Sequence, residues 1–256
     1  MNVLTPEQIE DLRDLKAVCG AHHTAAVIIG AVAYRLFIND VDRLTRDIDL
    51  AVALNLEEFA AFTERLTKLG WRQSERREHR WQCVRGTLLH LLPAGPSLRA
   101  QKRITWPSSQ FSMSLVGFDH VFQDAVEREL SPGFAFLVVP PPVLALLKIV
   151  AYDDDRCGRA KDLADLRGLW RRYEQQSDRL FSDDVFKAEL PDIELAGAFL
   201  LGLDLRVLCT REEVALVRSF LNQAGELRNQ TGLEIEPTWT FRQHLDAFAK
   251  GFDWER

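Results

Sequence analysis

Two aspartates one residue apart, in Asp47-Ile48-Asp49-Leu50, constrain this chain more than any other feature. In a β-strand the side chains at i and i+2 share a face, so Asp47 and Asp49 present two carboxylates side by side while Ile48 and Leu50 face the other way. Aspartate is depleted from strands, and like charges on one sheet face repel, so such a pair needs positive charge beside it. A divalent cation is the simplest source. A strand edge solvated on one face can also read Asp-Ile-Asp-Leu, so the surroundings must decide. Upstream, the apolar run Val27-Ile28-Ile29 ends at Gly30-Ala31 and opens into the helical Ala31-Val32-Ala33-Tyr34-Arg35-Leu36-Phe37. A small-residue turn at a helix N-terminus offers backbone N–H groups to phosphate oxygens. Strand, glycine turn, helix and a second strand with paired aspartates form one compact unit.

Further segments fit the same scheme. The aspartates are preceded by Arg43-Leu44-Thr45-Arg46. Gly86-Thr87-Leu88-Leu89-His90-Leu91-Leu92-Pro93 follows as a third strand, Ile104-Thr105-Trp106-Pro107 and Met113–Phe118 come next, and Leu144-Ala145-Leu146-Leu147-Lys148 precedes Lys161-Asp162-Leu163-Ala164-Asp165. With Asp178–Phe181 and Ala196–Asp204, these elements cover nearly the whole chain. In this combination the sequence resembles the nucleotidyltransferase superfamily, and within it the AbiEii/AbiGii toxin-like family, whose pattern is a glycine turn followed by Arg-x-Thr-x-Asp-hydrophobic-Asp.

The resemblance implies an α+β fold: a nucleotidyltransferase-like mixed β-sheet with helices over residues 1–139, then a helical domain over 140–256 closing a nucleotide cleft. It implies metal-dependent transfer of a nucleoside monophosphate from an NTP to a hydroxyl of RNA (tRNA) or protein. An antitoxin is the implied partner, and Mg2+ or Mn2+ the cofactor. Asp47, Asp49 and His90 would be the catalytic and metal-binding residues. Gly30, Ala31, Arg46, Lys148, Lys161 and Asp162 would contact the nucleotide, while Asp165, in the first turn of its helix, is read as structural. Lys148 lies one helical face from Leu144 and Leu147, so its ammonium is expected to emerge from a packed helix toward the triphosphate; a lysine snorkelling at a helix edge is the alternative.

Two positions depart from the family pattern. Ala31 replaces a second Gly or a Ser, keeping an N–H but offering no hydroxyl. His90 stands where the third strand carries Asp, leaving the site short of one negative charge for two divalent cations. Three readings of His90 stay open: a metal ligand better suited to manganese than to magnesium, a metal-free general base, or a histidine satisfied within a degenerate site. The last would make the protein a nucleotide- or partner-binding regulator rather than an enzyme.

The formal net charge of −6 gives no bulk attraction for nucleic acid, though a local basic groove is compatible with it. Arg72, Arg76, Arg77, His79, Arg80 and Arg85 near Trp71 and Trp81, followed by Arg99, Lys102 and Arg103, read as an RNA-binding face or as a solvated hairpin balanced by Glu75 and Glu78. Residues 1–8 carry no leader pattern and instead start a helix, with Thr5, Pro6 and Gln8 as its cap. No apolar run reaches the roughly 20 residues of a membrane helix. Cys19, Cys83, Cys157 and Cys209 lack metal-ligand spacing, so a cytoplasmic protein with reduced thiols is expected. Strands are expected near 27–29, 47–53, 81–84, 87–92, 111–115 and 134–139, with an Arg85-Gly86 turn. Past Pro140-Pro141-Pro142 everything is expected to be helical, and the tail from Gly225 has no clear docking.

Overall fold

The computed structural model describes residues 3–38, 47–75, 77–226 and 241–255. Arg46, together with Arg43 and Thr45, lies outside the described residues, as does Arg76. The chain forms two compact units, Met1–Pro140 and Pro141–Arg256.

Among the described residues the first unit has nine strands: β1 (Ala26–Ile29), β2 (Asp47–Val52), β3 (Arg72–Ser74), β4 (Arg77–Gln82), β5 (Leu88–Pro93), β6 (Arg103–Thr105), β7 (Ser112–Ser114), β8 (Val126–Ser131) and β9 (Phe134–Val138). Seven form one sheet in the order β3-β4-β5-β2-β1-β9-β8; β6 and β7 pair as a separate hairpin. The large sheet is mixed, since β2 runs parallel to β5 and β1 parallel to β9, while β1–β2, β3–β4, β4–β5 and β8–β9 are antiparallel. Its middle strands carry the core: Val27, Ile28, Ile48, Leu50, Leu89 and Leu91 are fully buried. Helices α1 (Pro6–Ala21), α2 (Gly30–Ile38), α3 (Leu56–Lys68), α4 (Pro96–Gln101) and α5 (Phe118–Gln123) complete this unit. Helix α1 begins with the expected capping box between Thr5 and Gln8 and with Pro6 in its first turn. In α3 the Asn55 cap is likewise reciprocal with Glu58.

Sequence periodicity misplaced one strand here and missed β3, β6 and β8. The expected strand at 81–84 lies earlier, at Arg77–Gln82, and Val84 is exposed in the turn. Strand β8 reads Val-Glu-Arg-Glu-Leu-Ser and escaped notice because an edge strand need bury little of either face; its first four residues are exposed.

The second unit is helical: α6 (Pro141–Asp154), α7 (Ala160–Arg172), α8 (Asp183–Lys187), α9 (Ala196–Leu208), α10 (Arg211–Glu226) and α11 (Phe241–Phe252), with short 3₁₀ turns before α8 and α9. Helix α9 is buried almost all round, from Ala196 to Leu205. It packs along α11, the helix hidden in the polar tail. Phe241, Leu245, Phe248 and Phe252 recur at helical spacing and give α11 its apolar face; Leu245, Phe248 and Phe252 are buried, and Phe241 and Phe248 lie against Trp170.

The two helices meet at glycines. A Cβ on Gly251 would overlap the Phe199 carbonyl oxygen, and one on Gly202 would overlap the Phe248 carbonyl. Backbone neighbours cannot rotate away, so Gly251→Ala must push the helices apart and should cost about 1–3 kcal/mol as an overpacking change. A denaturant midpoint equal to the parent's would show that the helices do not approach through this residue. Among the described residues no helix is long and apolar enough to cross a membrane.

Candidate active site

Strand register assembles the site. Asp49 pairs with Ile29 on one side and with His90 on the other, and His90 in turn pairs with Arg80 on β4. Residues paired across neighbouring strands stand on one face, so Asp49 and His90, over 40 residues apart in sequence, become neighbours. The alternation expected for Asp-Ile-Asp-Leu holds, with Ile48 and Leu50 fully buried and both aspartates about one-third exposed.

His90 bridges the two carboxylates. Its Nδ1 lies 2.9 Å from Asp49 Oδ1 and its Nε2 lies 3.5 Å from Asp47 Oδ2. A carboxylate only accepts, so the Asp49 contact places a proton on Nδ1. Nε2 is buried and makes no hydrogen bond. With Nδ1 protonated, a neutral ring turns the Nε2 lone pair toward a carboxylate oxygen at 3.5 Å, an arrangement of two acceptors that a hydrogen-bond donor or a cation between them would relieve.

Gly30 fixes the back of the site. Its φ of +66° is left-handed, and a Cβ there would overlap the Asp49 carboxylate, so backbone and carboxylate abut directly. Gly30→Ala should therefore strain the turn by roughly 1–2 kcal/mol and displace Asp49 as well. Thermal melting would read the first effect and nucleotidyl transfer the second; an alanine variant equal to the parent in both would show that the turn relaxes without disturbing Asp49. Ala31, which follows it, is buried in α2.

Behind His90 stands His79, which the sequence offered only as one member of a basic group. Its ring meets His90 edge-on with centroids 5.3 Å apart. Burial pushes its imidazole down to about 4, with His90, Arg77 and Arg80 acting in the same direction against Asp49, so at neutral pH the ring is uncharged.

The remaining nucleotide candidates belong to the second unit. Lys148 is buried in α6, and its ammonium lies 2.7 Å from both Asp162 Oδ1 and Asp165 Oδ2. Asp162 is fully buried and is also met by Arg159 at 2.7 Å. Lys148 is thus neither a snorkelling lysine nor an ammonium standing clear of its helix, and Asp165, expected as a helix-start acid, shares in holding it. Lys161 is exposed in the first turn of α7.

Among the described residues no three His, Cys, Asp or Glu side chains are arranged to enclose a metal ion. Within the group of Asp47, Asp49 and His90 only the Nδ1 contact of His90 with Asp49 is a hydrogen bond, and Nε2 lies 3.5 Å from Asp47. Their chemistry nonetheless suits a divalent cation: two hard oxygen donors, an imidazole, and a buried nitrogen without a hydrogen-bond partner facing the second carboxylate.

The model of the family described as nucleotidyl transferase AbiEii toxin of a type IV toxin–antitoxin system matches residues 13–253. No curated protein sequence matches. Among solved structures, an antigenic nucleotidyltransferase-like protein from Paracoccidioides brasiliensis is 15% identical, with a TM-score of 0.44 over 64% of this chain and 76% of the other. The antibiotic-resistance factor ANT(2")-Ia, solved in complex with adenylyl-2"-tobramycin, is 13% identical, with a TM-score of 0.43 over 85% of this chain and 98% of its own.

Proposed function

We propose, from the premise that this chain belongs to the AbiEii nucleotidyl transferase toxin family, that it moves a nucleoside monophosphate from an NTP onto a hydroxyl of RNA or protein. The observation that carries this reading is the placing of His90 against both Asp47 and Asp49 beside the Gly30 turn. In the proposed reaction the acceptor hydroxyl oxygen attacks the α-phosphorus. A new O–P bond forms, the bond from the α-phosphorus to the oxygen bridging to the β-phosphate breaks, the hydroxyl proton passes to solvent, and pyrophosphate leaves. Such chemistry asks the protein chiefly for positioning and charge neutralisation.

Asp47 and Asp49 would hold Mg2+ or Mn2+, with the Nε2 of His90 as third donor; the ion, when bound, supplies positive charge against the phosphates. Asp49 accepts the Nδ1 proton of His90 and so fixes the tautomer that leaves Nε2 available as a donor. Gly30 lets the backbone approach this face, and the α2 N-terminus behind it suits phosphate oxygens. Lys148 would face phosphates, held at a defined angle by Asp162 and Asp165. Lys161 and Arg46 are the further basic candidates, and an antitoxin is the proposed protein partner in a cytoplasmic setting.

An imidazole among the donors favours the softer ion. Calorimetric titration should show Mn2+ binding more tightly than Mg2+, and Asp49→Asn should abolish both; equal affinity of parent and variant would remove the aspartate pair from metal binding. The function itself is tested by incubating the protein with α-labelled NTPs and a cell extract, then separating RNA from protein. Label in one fraction names the acceptor class. NTP binding without label in either fraction would support the second reading, a regulator that binds nucleotide, which the exchange of a third carboxylate for His90 favours.

A further inference from the structure

His90 is held from behind by a stack of rings that belongs to a separate element. Its edge meets His79 at 5.3 Å, His79 meets Trp106 at 5.8 Å, and Trp106 meets Phe59 at 6.2 Å, which lies on Phe62 at 6.0 Å. Trp106, Phe59 and Phe62 are buried. The stack therefore runs from the reactive face to helix α3 in the core.

Trp106 sits at the turn of the β6–β7 hairpin, which is outside the main sheet, and Glu78 of β4 ties that turn to the sheet. Glu78, next to His79 on β4, accepts hydrogen bonds from the backbone N–H of Ser108 at 3.0 Å, from that of Ser109 at 3.1 Å and from the Ser109 hydroxyl at 2.7 Å. Bonds to a charged acceptor are the stronger kind, so this clamp fixes where Trp106 presses on His79.

We propose that His79 is a positioning residue: pressed forward by Trp106 through the Glu78 clamp, it fixes the plane of the His90 ring so that one nitrogen meets Asp49 and the other faces Asp47. Without it, His90 could turn about its side-chain bonds and lose that alignment. Ring contacts are geometric rather than polar, so a phenylalanine at 79 should serve nearly as well as histidine, and alanine should not.

The placement of His90 rests on the coordinates alone; its effect on rate rests on the proposed nucleotidyl transfer. The test therefore has two arms in the full-length protein. Ring 15N and 13C signals of His90 are compared in the parent, His79→Ala, His79→Phe and Glu78→Gln, with thermal melting as a folding control. His79→Ala and Glu78→Gln should move the His90 signals, and His79→Phe should restore them. In the transfer assay His79→Ala should lower kcat by about tenfold to a hundredfold with little change in the KM for NTP, the pattern of a misplaced reacting group, with rescue by His79→Phe. Unchanged His90 signals in His79→Ala, or in Glu78→Gln should the alanine variant not fold, overturn the proposal. So does a His79→Phe variant whose signals stay displaced. A parent that shows no transfer at all overturns the proposed function instead, and the spectra then decide the positioning role alone.

Discussion

Lys148→Ala is expected to destabilise the protein by about 3–5 kcal/mol, the cost of removing one partner from a buried ion pair. The ammonium lies 2.7 Å from Asp162 and 2.7 Å from Asp165, and both carboxylates are buried, the first completely. Removing it takes one counter-charge from Asp165 and from Asp162, the latter keeping Arg159 beside it. Equilibrium denaturation of the full chain measures the loss. Adding Asp165→Asn to Lys148→Ala should recover part of it, because the two side chains are in contact and their effects cannot simply add. A loss below about 1 kcal/mol, the range of exposed pairs, would show that the cluster is open to solvent. The result also bears on function. If Lys148 meets phosphates as proposed, a fall in NTP affinity in this variant has to be read against the melting curve.

The parts of the site that lie within one stretch of chain were legible from the sequence. Asp47 and Asp49 two residues apart, and Gly30 closing the preceding strand, are local patterns that secondary-structure geometry turns directly into a shared face and a left-handed turn. The His90 strand was also visible, as an apolar run interrupted by one polar residue. What the sequence did not provide was register. That Asp49 lies beside His90, and that the imidazole spans both aspartates, depends on which residues of β2 and β5 are paired. Register is a property of the assembled sheet.

The same reason hid His79. In sequence it is one of several basic residues between Trp71 and Arg85, and its meaning comes from a hairpin docked through Glu78. The Lys148 cluster was seen as pieces. Asp165 read as an ordinary acid in a helical first turn, because the packing of α6 against α7 is a tertiary fact. Helix α11 was missed for a different reason. Its apolar residues are spaced as a helix requires, but they follow a long polar stretch whose composition masked the period, and its partner α9 lies more than 30 residues upstream.

The most direct test of the proposed centre is nucleotidyl transfer from α-labelled NTP by the parent and by Asp49→Asn, assayed together with Mn2+. Asparagine keeps the shape and an oxygen that can accept the Nδ1–H of His90, so the fold and the ring position should survive while the charge is lost. If Asp47 and Asp49 carry the reaction, the parent transfers label with release of pyrophosphate. The variant should then fall on the order of a thousandfold, the size expected when several kcal/mol of charge stabilisation is removed. Transfer by Asp49→Asn at the parental rate would contradict the assignment of this face as the reactive centre.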